Sequence, residues 1–147
     1  MGFEGGSASG GIVGVIHNST IKNSYSTGNI FSDSYSGGVA GFSGGYNTIT
    51  GNVAITRTIT ASHEAGRIVG CIVNADSTIS GNFALDTMTA AGFAQFDTDL
   101  QSYGVGKSYV ALGTPTTYSN ELGWGFGNSD TAPWQMPTGE YPALYWE

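Results

Sequence analysis

Gly10-Gly11-Ile12-Val13-Gly14 returns as Gly37-Gly38-Val39-Ala40-Gly41 and again as Gly66-Arg67-Ile68-Val69-Gly70, after 27 and then 29 residues. A phrase that repeats at such a period marks stacked supersecondary units, each burying its apolar face only against its neighbours. A second phrase always follows the first: Thr20-Ile21-Lys22-Asn23-Ser24-Tyr25, Thr48-Ile49-Thr50-Gly51-Asn52-Val53 and Thr78-Ile79-Ser80-Gly81-Asn82-Phe83. Ile21, Ile49 and Ile79 align, and so do Tyr25, Val53 and Phe83 four positions on, an even spacing that puts both columns on one strand face. Between them Asn23, Gly51 and Gly81 are the residue types that best accept φ > 0, which predicts a bend or bulge. The glycine pairs read as corners, with Ile12, Val39 and Ile68 supplying β-branched side chains to the strand that follows each corner. Ile30, Ile59 and Met88 give a third apolar column at a constant 29-residue spacing. Three short strands per repeat describe one coil of a β-solenoid. Length differences fall between Gly14 and Thr20, Gly41 and Thr48, and Gly70 and Thr78, where polar residues can bulge outward.

The fold expected is therefore all-β: a β-solenoid of about three to four coils, right-handed and parallel β-helix-like by analogy with common solenoids. Residues 1–9 read as the lead-in of a preceding repeat. Residues 10–112 carry the repeats, divided as 10–36, 37–65, 66–92 and a partial 93–112 in which Tyr103 to Leu112 forms one more strand. Residues 113–147 read as an aromatic, proline-rich C-terminal cap. All four prolines (Pro115, Pro133, Pro137, Pro142) lie there, with Trp124, Phe126, Trp134, Tyr141, Tyr145 and Trp146. A plug that cannot extend the sheet is the expected protection for an open solenoid end, and the tryptophans are expected to be buried in it. The lead-in matches a mid-repeat segment, so the expectation is the end of a longer array or a subunit whose first coil docks on another chain.

Composition narrows the function classes. The chain has 147 residues, 24 of them glycine, and a formal net charge of −7 with only four Lys or Arg. Phosphate binding needs a basic face, so nucleic acid is not an expected partner, and anionic membranes are disfavoured for the same reason. No apolar run is long enough to span a bilayer, and the N-terminus lacks the charged and apolar regions of a leader peptide. The single cysteine, Cys71, aligns with Val15 and Phe42 and reads as a small apolar core residue.

The phrases Gly-Gly-Ile-Val-Gly, Thr-Ile-Lys-Asn-Ser-Tyr-Ser-Thr-Gly-Asn and Gly-Gly-Val-Ala-Gly resemble the GLUG-motif repeats of bacterial surface proteins, over roughly residues 10 to 90. The stretch Leu122-Gly123-Trp124-Gly125-Phe126, with Trp134 and Tyr141-Pro142-Ala143-Leu144-Tyr145-Trp146, resembles the segment that closes such arrays. Arg67, in place of the second glycine, departs from the pattern. The resemblance implies a secreted or cell-surface, adhesin-like protein, and it carries no catalytic residues.

The residues point to binding more than to chemistry. Only His17 and His63 could serve as a catalytic base, each in a polar turn. No metal-ligand spacing occurs; Asp97 and Asp99 would hold at most a weak surface calcium ion, so neither a metal nor a cofactor is expected. Asp33 has no acidic counterparts in other repeats to make a paired carboxylate site. Exposed Ser and Thr residues are expected not to align in regular two-residue ranks, which weighs against a flat ice-binding face. The binding candidates are the aromatics Tyr35 and Tyr46, placed in loops, and Trp124 and Trp134. The function expected is a non-catalytic extracellular module, the end of a bacterial surface adhesin meeting a host glycan or protein. The alternative is a structural subunit of a filament or phage fibre that stacks on copies of itself.

Overall fold

The computed structural model describes residues 6–92, 96, 104–137 and 140–146. The chain divides into two compact units, Met1–Gly106 and Lys107–Glu147.

The first unit is an all-β parallel solenoid whose coils each contribute five short strands rather than the three expected. The first coil holds β1 (Ala8–Gly10), β2 (Val13–His17), β3 (Thr20–Lys22), β4 (Tyr25–Ser26) and β5 (Ile30–Phe31). The second holds β6 (Tyr35–Gly37), β7 (Ala40–Gly44), β8 (Thr48–Thr50), β9 (Val53–Ala54) and β10 (Thr58–Ala61). The third holds β11 (Glu64–Gly66), β12 (Val69–Ile72), β13 (Thr78–Ser80), β14 (Phe83–Leu85) and β15 (Thr89–Gly92). Equivalent strands stack in parallel into five sheets: β1-β6-β11, β2-β7-β12, β3-β8-β13, β4-β9-β14 and β5-β10-β15.

Bends in the repeated phrases account for the larger strand number. Asn23, Gly51 and Gly81 take φ of 52°, 67° and 61°, so the predicted bend is present in all three coils. It turns the chain so sharply that the isoleucine column and the Tyr25-Val53-Phe83 column fall in different sheets rather than on one strand face. Both still reach the core: Ile49 and Val53 are fully buried. In the glycine phrase, Gly10, Gly37 and Gly66 end the first-sheet strands, and Gly11-Ile12, Gly38-Val39 and Arg67-Ile68 form the bend itself. Val39 and Ile68 thus fill the corner, rather than starting the next strand. A Cβ at Gly38 would run into the Arg67 carbonyl and lie 2.5 Å from the Ala54 Cβ. One at Gly41 would lie 2.6 Å from the Ser9 nitrogen, and one at Gly70 would lie 2.5 Å from the Gly41 oxygen. Neighbouring strands meet backbone to backbone there, which is why the phrase keeps its glycines.

Register corrects the third apolar column. Ile30 pairs with Ile59, but Ile59 pairs with Ala90 and not with Met88. The link from Tyr25 to Ile30 gains one residue in each later coil, ending at Ala90 in the third. Met88 lies instead in the turn before β15, buried, with its N–H on the Leu85 carbonyl at 3.1 Å. Cys71 does align with Val15 and Phe42, but only Phe42 of this column is buried in the core. Cys71 is half-buried and Val15 48% exposed, because strand alternation turns the intervening residue, Ile16, inward instead.

Side chains of Asn and Ser tie the coils together where bends interrupt the backbone ladder. Asn52 accepts from the Ser24 N–H (3.1 Å), and Asn82 accepts from the Asn52 N–H (2.9 Å) and Nδ2 (3.1 Å). In return Asn52 donates to the Ile21 carbonyl (3.1 Å) and Asn82 to that of Ile49 (2.7 Å). A second ladder runs through Ser19, Asn47 and Ser77. The guanidinium of Arg67, in the glycine column of the third coil, is buried and donates to the carbonyls of Ala84 (2.9 Å) and Leu85 (2.7 Å). These buried Asn, Ser and Arg side chains bond to groups distant in sequence, which offsets their desolvation.

The expected partial fourth coil differs in detail. Phe96 bridges to Ala65, and β16 (Val105–Lys107) joins the fourth sheet beside β14, with the Val105 N–H on the Asn82 carbonyl at 2.9 Å. The rest of 93–103, with Asp97, Asp99 and Tyr103, lies outside the described residues. Tyr109–Leu112 is a helix, α1, rather than strand. Ser108 caps it by accepting the Ala111 N–H at 3.1 Å.

Candidate functional site

The four aromatic candidates have different environments. Tyr35 is not in a loop but in β6, half-buried, its ring 5.6 Å from that of Phe42 and 6.3 Å from the His63 imidazole. It is a packed ring on the solenoid wall. Tyr46 does lie in a loop, 67% exposed, with its N–H held by the Asn18 side chain at 2.9 Å. The outer face of β3-β8-β13 also carries ranks of polar side chains. Thr20, Thr48 and Thr78 align, and Lys22, Thr50 and Ser80 align two residues on, so two-residue ranks exist after all. A lysine and a serine interrupt the second rank. Among the described residues no group of three His, Cys, Asp or Glu side chains could hold a metal ion, and no helix is long and apolar enough to cross a membrane.

Trp124 and Trp134 belong to the second unit. Its helix α2 (Pro115–Glu121) begins at a proline, whose fixed φ suits the first turn, and ends before Gly123 at φ 71°. The Leu122 and Trp124 N–H groups both return to the Tyr118 carbonyl, at 3.0 and 3.2 Å, which reverses the chain onto the helix. Leu112, Tyr118 and Trp124 form the core, and the Tyr118 hydroxyl donates to the Leu112 carbonyl at 2.6 Å. Trp124 is therefore a packing residue, 3% exposed. Trp134 starts β17 (Trp134–Gln135), which pairs antiparallel with β18 (Ala143–Leu144). On its other side the Trp134 N–H reaches the Gly125 carbonyl (3.1 Å), and its carbonyl accepts from Gly127 (2.9 Å). Its indole stacks on that of Trp124, with centroids 4.4 Å apart and planes at 20°. Trp146, by contrast with the expected burial, is 61% exposed and packs edge-on against Tyr145.

Trp134 is half-buried because it also lines an open groove of about 610 Å³, with Pro115, Phe126, Asn128, Gln135 and Pro137 among the other walls. Gln135 donates to the Asn128 side-chain oxygen, so the two amides form one hydrogen-bonded pair at the rim. None of the lining residues is charged. Such a site offers an apolar aromatic wall with adjacent amides and no titrating group, a combination suited to recognition of a neutral ligand. Outside the groove lining, the Asp130 carboxylate accepts from the Tyr145 hydroxyl at 2.7 Å and so raises the phenol pKa above its ordinary value.

Sequence reasoning missed Phe126, Asn128 and Gln135 as parts of a site. The signal was the Gly125-Phe126-Gly127 stretch: a Cβ at Gly127 would come to 3.0 Å from that of Ala132, so small residues let the two segments close around the groove. Comparison with known protein families, curated proteins and solved structures finds no match to the chain.

Proposed function

We propose that the chain is a non-catalytic binding module of a bacterial surface protein, in which the solenoid supplies a rigid, repeat-built support and the second unit contacts a glycan. The observation that carries this reading is Trp134, fixed against Trp124 beside the Asn128–Gln135 amide pair in an uncharged groove. A ring already immobilised by stacking loses little conformational freedom on binding, so it is a suitable platform for the apolar face of a sugar. The solenoid's buried asparagines favour a support role, since Asn47, Asn52 and Asn82 all hold neighbouring coils together. The resemblance to GLUG repeats favours an extracellular, cell-surface location and an adhesin-like role. Binding of the full chain to an immobilised glycan array tests the reading. The wild type is expected to bind a subset of glycans and Trp134→Ala to lose them, with Tyr46→Ala unchanged. Equal binding by wild type and Trp134→Ala would refute the site.

A further inference from the structure

We propose that the groove is selective for uncharged pyranoses and takes a terminal neutral sugar, with Asn128 and Gln135 as the residues that choose it; this rests on the glycan-binding reading above. Three observations converge on that ligand class. First, the wall is aromatic, formed by Trp134 and Phe126, and the C–H face of a pyranose is the polar ligand surface that packs on such rings. Secondly, the amide pair is complementary to hydroxyls. Gln135 donates to the Asn128 oxygen, which leaves the Asn128 amide N–H groups to donate and the Gln135 carbonyl oxygen to accept; vicinal sugar hydroxyls do both.

Thirdly, the electrostatics disfavour acids. No lining residue is cationic, whereas sequence positions 107–147 contain four carboxylates against one lysine. Lys107 is itself paired with Glu121. A uronic or sialic acid carboxylate would enter a site of like-signed field with no guanidinium or ammonium to receive it. The volume of about 610 Å³ falls within the range of small-ligand sites, and the open shape fits the end of a glycan rather than an enclosed molecule.

The test uses the full chain and NMR. Three tryptophans give three indole N–H signals, and the Trp134 signal is assigned by its loss in Trp134→Phe. Methyl hexopyranosides, lactose and N-acetyllactosamine are titrated against glucuronate and sialyllactose. The expected result is a saturable shift of the Trp134 signal with at least one neutral sugar, and binding at least about tenfold weaker for both acids. Asn128→Ala, at an exposed position, should weaken the neutral sugar several-fold while leaving the other indole signals in place. An acid bound as tightly as the neutral sugars would overturn the selectivity but leave the glycan reading standing. A Trp134 signal that moves with no sugar, yet moves with a proline-rich peptide, would overturn both.

Discussion

Replacing Asn82 with alanine should cost more than replacing Asn52, and by an amount the hydrogen bonds set. The Asn82 side chain accepts from the Asn52 N–H and Nδ2 and donates to the Ile49 carbonyl, and all three bonds are buried. Alanine leaves the fully buried Asn52 N–H and Ile49 carbonyl without those partners, at about 1–3 kcal/mol each. A small cavity adds to the loss, so the total should be about 3–6 kcal/mol. That is a large part of the 5–15 kcal/mol by which small domains are stable. Asn52→Ala also leaves a small cavity and removes the Nδ2 bond to Asn82, but Asn82 keeps its bond from the backbone N–H of residue 52. The freed Ser24 N–H and Ile21 carbonyl are half-exposed and can turn to water, so this variant should cost about 2–3 kcal/mol. Urea unfolding followed by far-UV circular dichroism reads the solenoid. Tryptophan emission reads the second unit separately, because all three tryptophans lie there. A cost below about 1 kcal/mol for Asn82→Ala, or the reverse order of the two variants, would refute the idea that these ladders hold the coils together.

Other outcomes follow from single contacts. Gly38→Ala places a Cβ 2.5 Å from that of Ala54 and against the Arg67 backbone, so it should destabilise the solenoid by about 3 kcal/mol or more on urea unfolding. Tyr46→Ala removes an exposed ring and should change stability by less than about 0.5 kcal/mol, while Tyr35→Ala, which strips a ring from Phe42, should cost about 1 kcal/mol or more. Tyr145 has its pKa raised by its bond to Asp130, so the stabilisation it gives is whole below the ordinary phenol pKa and is lost as pH rises through the raised folded-state value. Alkaline titration of Tyr145→Phe, followed by tryptophan emission, should show a shallower loss of stability in that window than the wild type.

The solenoid was legible because its constraints are local and repeated. A glycine that meets a neighbouring backbone, such as Gly41 or Gly70, permits no other residue, and the positive φ at Asn23, Gly51 and Gly81 selects among very few. Strand number was less legible. A bend at Gly51 and a strand bulge there use the same residue types, and only the backbone path separates β8 from β9. Register at Met88 failed for a similar reason: a turn that grows by one residue keeps its apolar character while moving the pairing to Ala90. The groove was half legible. Trp134 stood out as a large aromatic, but its neighbours Phe126, Asn128 and Gln135 come together through an irregular chain reversal that no periodicity announces.

The most direct test of the central claim is a crystal of the full chain soaked with a neutral sugar that the array selects. The account predicts a pyranose ring on the Trp134 wall, with hydroxyls within hydrogen-bonding distance of Asn128 and Gln135. A sugar bound elsewhere on the molecule, with the groove empty at saturating concentration, would contradict it.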